Sequence, residues 1–372
     1  MKHVDEYRRF EIAESLVERI RARASSRWTV MDVCGGQTHA IVKSGIDARL
    51  SESIRFVHGP GCPVCITPLE TLDRAHAIAS LPDVVLASFG DMLRVPGSIT
   101  ELLSLRARGA DVRVVTAPLD AVRIAKNEPT RRVVFFSVGF ETTAPATALA
   151  VQCAEQLGIE NLSFLASHAL VPPALDALLS DPKCTVDGLL GPGHACTVTG
   201  LEPYEAIAAR HNVPIVVTGF EPLDILQGLL VLVDRLESHD HGVDNQYGRS
   251  VTRDGNRVAR GLVDDVFQTS DHTFLGLGML PNAGLQLRPS HRNRDAEFVF
   301  DVEIPKSREA SSCLANLVLS GQTLPTECPS FSKACTPESP LGAPMVSAEG
   351  ACAAHYLRRV DNARDKGAFG ES

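Results

Sequence analysis

The chain has 372 residues, 44% of them hydrophobic and 22% charged, so it is long enough for two or three domains with ordinary globular cores. The 36 Lys and Arg residues against 45 Asp and Glu give a net charge of −9, so the composition gives no electrostatic support for nucleic-acid binding. Only 5% of the residues are aromatic, and no apolar run approaches the ~18 residues of a membrane span.

The first residues of the chain bear on its compartment. Residues 1–6 lack the apolar stretch of a secretion signal, so we expect a cytoplasmic protein with no membrane association. In the reducing cytoplasm, ten cysteines predict metal ligands or redox thiols rather than structural disulfides.

The predicted elements begin with an amphipathic helix over residues 1–28, followed by a strand over residues 28–33 that leads into Cys34. From there to about residue 235, short apolar runs alternate with helical patterns. Near-continuous apolar strands separated by helices are typical of parallel sheets covered on both faces. Further strands are predicted at residues 84–89, 112–115, 133–138 and 215–218.

An internal repeat links two Gly-Pro-Gly turns. Residues 59–62 and 191–194 each lead through a helix to a strand, with offsets of 132 (191 − 59) at the turn and 131 (220 − 89) at the strand end. We infer two related α/β domains around a cleft, while chance recurrence of such turns before helices is the alternative.

The pattern changes after residue 238. Residues 238–242 are predicted as an exposed loop, 244–275 as helical and 296–303 as a strand. Residues 321–346 are rich in Pro, Ser, Thr and Gly and hold two cysteines. Such a segment packs poorly by itself, so we expect a cross-link such as a metal cluster to stabilise it.

The predicted fold class is therefore α/β, with two related parallel-sheet domains and a cysteine-rich C-terminal region. The predicted division has four parts: the N-terminal helix and Cys34 motif (1–50), a first α/β domain (51–128), a second α/β domain (129–238) and the C-terminal cysteine-rich region (239–372).

The strongest local motif is the Cys-x-x-Cys pair of Cys62 and Cys65. We expect Thr67 to cap a helix with Glu70 completing a capping box, which places Cys65 just before a helix N-terminus that favours a thiolate. Such a pair can cycle between dithiol and disulfide or bind a soft metal. A structural zinc half-site and inert thiols remain the alternatives.

Cys34 is the second candidate. It follows a predicted strand and precedes Gly35 and Gly36, so it would lie at the carboxyl edge where open α/β sheets place their ligands. A buried cysteine that acts only as a small hydrophobic residue is the alternative.

Four C-terminal cysteines form the third candidate site. Four thiolates are the usual complement of a [4Fe–4S] cluster, although this spacing is neither a compact ferredoxin pattern nor a paired zinc ribbon. We also expect Ser347 to cap the helix that carries the last of them. The cysteines are Cys313, Cys328, Cys335 and Cys352.

The remaining cysteines and histidines carry weaker signals. Cys153 lies in an apolar helical run and is predicted to be core. His168, His194 and Glu141 follow strands, where each could line the cleft or serve a structural hydrogen bond or cap.

These motifs together resemble the HypD family, whose members help to build the Fe(CN)2(CO) unit of [NiFe] hydrogenases. The resemblance runs from about residue 5 to 358, with the motifs in the family's order. It is carried by residues 34–41, 59–65, 137–145, 191–194, 290–293, 335–338 and 345–354.

The resemblance implies a [4Fe–4S] cluster, a complex with a small HypC-type chaperone that holds a transient iron carrying cyanide and carbonyl ligands, and a HypE-type cyanide donor. By matching motif, Cys34 is implied as the iron ligand and Cys62 and Cys65 as the redox pair. The implied cluster ligands are Cys328, Cys335, Cys352 and, as the fourth, Cys313.

Two positions depart from the family pattern. Gln37 stands where many relatives have histidine, so an iron-site role for that histidine is either absent here or moves to His39. Pro344 stands where many have cysteine, and residues 313–316 depart from a Cys-x-Cys-Gly, so both differences bear on the assignment of the fourth cluster ligand.

These features predict a redox-active assembly scaffold rather than a conventional turnover enzyme. The alternatives are a free-standing iron–sulfur thiol/disulfide reductase and a zinc-stabilised binding protein.

Overall fold

The computed structural model of the chain describes residues 10–305 and 312–368. In chain order the strands are β1 (Trp28–Asp32), β2 (Ile54–His58), β3 (Val84–Ser88), β4 (Asp111–Val114), β5 (Arg132–Gly139), β6 (Leu162–Ala169), β7 (Gly188–Pro192), β8 (Ile215–Thr218), β9 (Val243–Asn245), β10 (Phe267–Phe274) and β11 (Gly278–Leu287).

The helices of the N-terminal half are α1 (Phe10–Arg23), α2 (Gly35–Ser44), α3 (Ile46–Arg49), α4 (Pro63–Ile66), α5 (Leu69–Ala79), α6 (Leu102–Ala107), α7 (Pro118–Asn127), α8 (Ala144–Gln156) and α9 (Val171–Ser180). Those that follow are α10 (Gly193–Thr199), α11 (Glu202–His211), α12 (Pro222–Ser238), α13 (Arg257–Val266), α14 (Ala296–Val299), α15 (Ala315–Leu319) and α16 (Ala351–Ala368).

Within the described residues the strands form two sheets. The first has the order β2-β1-β7-β8-β9 and is parallel throughout. The second has the order β10-β11-β6-β5-β3-β4, where β4, β3, β5 and β6 are parallel and the hairpin of β10 and β11 is antiparallel. The prediction of an α/β fold with two mostly parallel sheets is confirmed.

Apolar clusters cover both faces of each sheet, which explains the near-continuous apolar strands. Leu16 and Ile20 of α1 pack with Leu229 of α12 on one face of the first sheet. Phe135 and Phe164 lie in the core on one face of the second sheet. Another cluster contains residues of both sheets, so the two sheets share part of one core.

The chain crosses between the sheets more than once. Residues 51–128 supply β2 to the first sheet and β3 and β4 to the second, whereas residues 129–238 supply β5 and β6 to the second and β7 and β8 to the first. The strands that follow the two repeated Gly-Pro-Gly turns, β3 and β8, thus lie in different sheets. The four-part division of the chain stays a prediction about domains.

Three predicted elements differ in the structure. Residues 296–303 are not a strand, because Asp295 accepts a hydrogen bond from the Glu297 amide and starts α14 instead. Residues 244–275 include α13 but also the strands β9 and β10. Of the helix predicted over 1–28, α1 spans Phe10–Arg23, and residues 1–9 lie outside the described residues.

Across residues 10–305 and 312–368, the structure contains no helix with the length and apolar character to cross a membrane.

Candidate functional site

Cys34 lies two residues beyond β1 and is the N-cap residue of α2. Its side chain is 8% exposed. Burial raises the pKa of the thiol to about 12, as do the charges of Glu349 and Asp32, against the opposing effect of the Gly36 and Gln37 amides. At neutral pH the group is therefore a thiol that becomes a thiolate only when a cation replaces its proton.

The loop after β2 contacts the Cys34 loop directly. The Gly35 amide donates to the Gly61 carbonyl at 2.9 Å. A Cβ atom on Gly61 would lie only 2.5 Å from the Cys34 nitrogen, so this approach requires glycine. The Cys-Gly-Gly and Gly-Pro-Gly-Cys motifs therefore meet at the carboxyl edge of the first sheet, as the strand-end argument predicted for Cys34.

His194 faces Cys34 from the end of β7. Its Nδ1 atom lies 3.8 Å from the Cys34 Sγ atom, and its ring stacks on Phe220 with a centroid separation of 3.8 Å. Burial lowers the pKa of the imidazole, so the ring is neutral at pH 7. The sequence left the role of His194 open, and its place beside Cys34 depends on the pairing of β1 with β7.

The side chains of Gln37 and His39 form hydrogen bonds with groups other than the Cys34 thiol. The Gln37 side chain is fully buried, and its amide donates to the Gly191 carbonyl at 2.8 Å and to the Thr218 hydroxyl at 2.7 Å. His39 donates from Nδ1 to the Ala348 carbonyl at 3.2 Å. Gln37 thus ties α2 to the strand ends, and a metal-binding role for His39 stays a prediction.

Cys62 and Cys65 form a disulfide with Cα atoms 5.2 Å apart. They are 3% and 0% exposed, and the Cys65 Sγ atom lies 4.0 Å from the Ala343 carbonyl. The pair therefore lies between the Cys34 loop and the C-terminal segment.

The expected capping box at this motif is wrong. Pro63 starts the separate helix α4, and the Thr67 hydroxyl donates to the Pro63 carbonyl at 2.9 Å instead of capping the next helix. Helix α5 begins at Leu69 with Pro68 as its N-cap residue and no side-chain cap. Cys65 consequently lies inside α4 and precedes the start of α5 by four positions (69 − 65).

The four C-terminal cysteines surround one small cavity with an apolar lining that includes Phe331 and Met345. Burial raises the pKa of the Cys352 thiol, and the neighbouring Cys313, Cys335 and Cys328 raise it further. The sequence grouped them as one candidate site, although their separations along the chain were only moderate evidence that they would come together. The cysteines are Cys313, Cys328, Cys335 and Cys352.

Backbone groups also contact these thiols. The Leu341 amide donates to the Cys335 Sγ atom at 3.4 Å. A Cβ atom on Gly342 would come within 2.6 Å of the Cys313 Sγ atom, so only glycine leaves room there. The predicted Ser347 cap is wrong, because its hydroxyl accepts from Glu349 within the turn that precedes α16.

No three His, Cys, Asp or Glu side chains among the described residues are grouped so that they could hold a single metal ion. The cysteines thus line a common cavity without forming a tetrahedral one-ion site of the zinc type.

The buried carboxyl group of Glu141 lies near Cys196. Glu141 is 6% exposed, accepts from the Val171 amide at 2.9 Å through Oε1, and has no partner for Oε2 among the residues described. Burial raises its pKa to about 7. The buried thiol of Cys196 packs in the same core as the Cys62–Cys65 disulfide.

His168 and Cys153 lie in or against the second sheet. His168 is fully buried, and its Nε2 atom lies 3.2 Å from the Ser137 hydroxyl. Cys153 packs against the core on one face of the second sheet, as predicted. Glu349 is a site residue that the sequence argument did not single out: a Cβ atom on Gly35 would lie 2.6 Å from its Cβ.

Comparison with known proteins adds to this geometry. The sequence model of HypD, described as Hydrogenase formation hypA family, matches residues 11–359. Hydrogenase maturation factor HypD2 of Bradyrhizobium diazoefficiens is 44% identical over 366 residues, covering 96% of this chain and 96% of the relative.

Hydrogenase maturation factor HypD of Escherichia coli (strain K12) is 43% identical over 367 residues, covering 96% of this chain and 98% of the relative. The HypD of Rhodobacter capsulatus is 42% identical over 368 residues, with 96% and 98% covered. Identity at this level over nearly the full length of both chains places the present chain within the HypD family of hydrogenase maturation factors.

Proposed function

We propose that the chain is the scaffold and redox component on which the Fe(CN)2(CO) unit of a [NiFe] hydrogenase is assembled, with a small HypC-type chaperone and a HypE-type cyanide donor. The observation that carries this proposal is the meeting of the Cys34 loop with the loop of the Cys62–Cys65 disulfide, through the Gly35–Gly61 hydrogen bond. A soft thiolate and a redox-active pair at one sheet edge suit iron with cyanide and carbonyl ligands.

Cys34 is the proposed ligand for the iron, which is the cargo of the assembly. Its pKa of about 12 means that iron binding must displace a proton. His194, neutral and 3.8 Å away, is placed to accept that proton. The chaperone would complete the coordination from the open side of the sheet edge.

The disulfide of Cys62 and Cys65 is the oxidised form of the proposed redox pair. Its reduction takes up two electrons and two protons and yields two thiols. Because both sulfurs are buried, a large protein disulfide has no direct access to them. This burial favours the scaffold over a free-standing thiol/disulfide reductase.

A [4Fe–4S] cluster fits the C-terminal cavity. Four cysteines line it, a glycine leaves room beside Cys313, and the Leu341 amide donates to the Cys335 sulfur. The four cysteines match in number the thiolates that would hold such a cluster. The bound group would supply one-electron transfer.

Iron and acid-labile sulfide counts on protein purified without oxygen test the proposal. We expect about four of each in the natural sequence. Cys335→Ser should lose most of both, whereas Cys34→Ser should keep them but hold no additional iron when purified with its chaperone. Cys184→Ser, a half-buried cysteine outside both sites, is the matched control.

A Cys335→Ser protein with a full iron and sulfide complement, or a natural protein that carries zinc instead, would refute the cluster assignment. Cluster loss in Cys34→Ser would show that the two sites are not separate.

A further inference from the structure

The open edge of the first sheet lies at β2, which pairs only with β1 among the described strands. The Ser53 carbonyl accepts from the Trp28 amide, and the Gly59 amide donates to the Asp32 carbonyl. In a parallel ladder this register directs the odd-numbered backbone groups of β2 toward β1 and the N–H and C=O of Phe56 away from it. An edge of this kind can accept another strand.

A cavity of about 650 Å³ lies along this edge. Its apolar lining, called the floor below, includes Ile54 and Phe56 of β2 together with Leu324 and Phe331 from the C-terminal region. An added strand would therefore find backbone partners and an apolar surface in the same place.

The charged residues that line the cavity, called the rim below, are mostly cationic. Four arginines line it against one aspartate, a net charge of +3 (4 − 1) in a chain whose net charge is −9. The four are Arg27, Arg55, Arg358 and Arg359. A concentrated positive rim on an acidic protein attracts anions locally.

Three of these arginines lack an internal counter-ion. Arg358 pairs with Asp47, but the guanidinium groups of Arg27, Arg55 and Arg359 form no hydrogen bond or ion pair with any residue that the structure describes. Glu327 lies near Arg55, yet its carboxylate is held by the Leu324 amide at 2.8 Å. Their guanidinium groups are available to a carboxylate from outside.

We propose that the β2 edge is a docking site for an extended segment of another protein in which acidic and apolar residues alternate. Alternation places one side-chain set on the apolar floor and the other at the arginine rim, while the segment's backbone pairs with Phe56. A small anion such as phosphate would use the rim alone and leave the floor and the strand edge unused.

The site is connected to the Cys34 loop by hydrogen bonds. His355, which lines the cavity, shares a hydrogen bond with His58 between the two Nε2 atoms at 2.9 Å, and His58 Nδ1 donates to Asp32 at 2.7 Å. Asp32 in turn accepts from the hydroxyl of Thr38 in α2. A segment docked here would contact the residue that links α16 to the base of the Cys34 loop.

The test uses the full chain and a fluorescein-labelled peptide of alternating Glu and Val. We expect binding that weakens with salt and falls at least about tenfold in the double variant Arg55→Glu, Arg359→Glu. The double variant Arg19→Glu, Arg106→Glu changes the net charge equally at exposed arginines away from the cavity and should bind as the natural sequence does. A peptide of the same charge with proline in place of valine should bind much less, because it cannot pair with a strand.

Hydrogen exchange supplies a readout that does not depend on any variant. The Phe56 amide should gain protection when the Glu-Val peptide binds, whereas the Arg55 amide, which already faces β1, should change little.

Four results would each overturn the proposal. The first two are equal binding of the proline peptide and displacement of the Glu-Val peptide by millimolar inorganic phosphate. The third is unchanged hydrogen exchange at the Phe56 amide. The fourth is tighter peptide binding after removal of residues 369–372, which would identify the chain's own tail as the occupant.

Discussion

Gly61 allows the closest backbone contact of the candidate site. An added Cβ atom would lie 2.5 Å from both the Cys34 nitrogen and the Val33 carbonyl carbon, which are backbone atoms that cannot rotate away. The contact therefore sets how near the disulfide loop lies to the Cys34 loop.

Gly61→Ala should lower the free energy of unfolding by about 1–3 kcal/mol, because the overpacked loops must separate. Gly261→Ala is the control: its Cβ would meet nothing within 4 Å and it lies inside α13, so it should raise stability by about 0.5–1 kcal/mol. Urea unfolding measures both. Equal stability of Gly61→Ala and the natural sequence would show that the two loops are not held in contact.

The site residues differ in how far the sequence could predict them. Cys34 was predicted because a diglycine after an apolar strand is a local pattern. The contact of His194 with Cys34 could not be inferred from either residue's surroundings, since 160 positions separate them. Glu349 also reaches the site only through the packing of the C-terminal segment against Gly35.

At the scale of elements, the N-terminus of α12 is held by one buried carboxylate. Asp224 is fully buried and accepts hydrogen bonds from both terminal nitrogens of Arg249, at 2.7 and 2.5 Å. It also accepts from the Glu221 amide at 3.3 Å and from the Gln246 side chain at 3.2 Å. This carboxylate joins the start of α12 to the loop after β9.

Asp224→Ala should lower the free energy of unfolding by about 3–5 kcal/mol, because it leaves a partly buried arginine without this carboxylate. Asp240→Ala removes an exposed pair with Arg235 and should cost no more than about 1 kcal/mol. Urea unfolding midpoints compare the two variants. A loss no larger for Asp224 than for Asp240 would contradict the proposed role of the carboxylate.

Strands and helices were predicted with unequal success for a physical reason. Strands such as β3 and β8 are buried throughout and apolar at every position but the last, so composition alone indicates them. The hairpin of β10 and β11 is partly exposed and polar. The apolar residues of β10 are spaced as in a helix, so the sequence predicted a helix there. In the predicted strand 296–303, residues Ala296–Val299 form α14 instead because of one cap at Asp295, which a search for apolar runs does not detect.

At the scale of the whole molecule, several histidines are buried in neutral form. Burial lowers the pKa of His168 to about 3, with a further contribution from His272. Burial also lowers the pKa of His76 and of His272 to about 4. In an unfolded chain these groups titrate near ~6.5, so between about pH 4 and 6.5 the unfolded state binds more protons than the folded state.

The contribution of these histidines to stability is therefore complete above about pH 6.5 and is lost as the pH falls toward 4. For His168 alone the slope below pH 6 approaches ~1.4 kcal/mol per pH unit. His168→Gln should reduce the slope of unfolding free energy against pH by about that amount, whereas His241→Gln, at an exposed position, should leave it unchanged. Urea unfolding between pH 5 and 7 measures the slopes, and equal slopes would show that His168 is not buried in neutral form.

The sequence by itself determined the α/β class and the main strands of the parallel sheets, and it singled out the candidate cysteines, because apolar runs and reactive side chains are local properties of the chain. Only the tertiary structure decided that β2 and β7 flank β1, and that four cysteines spread over residues 313–352 surround one cavity. These arrangements depend on which distant surfaces bury each other, and local periodicity carries no information about that choice.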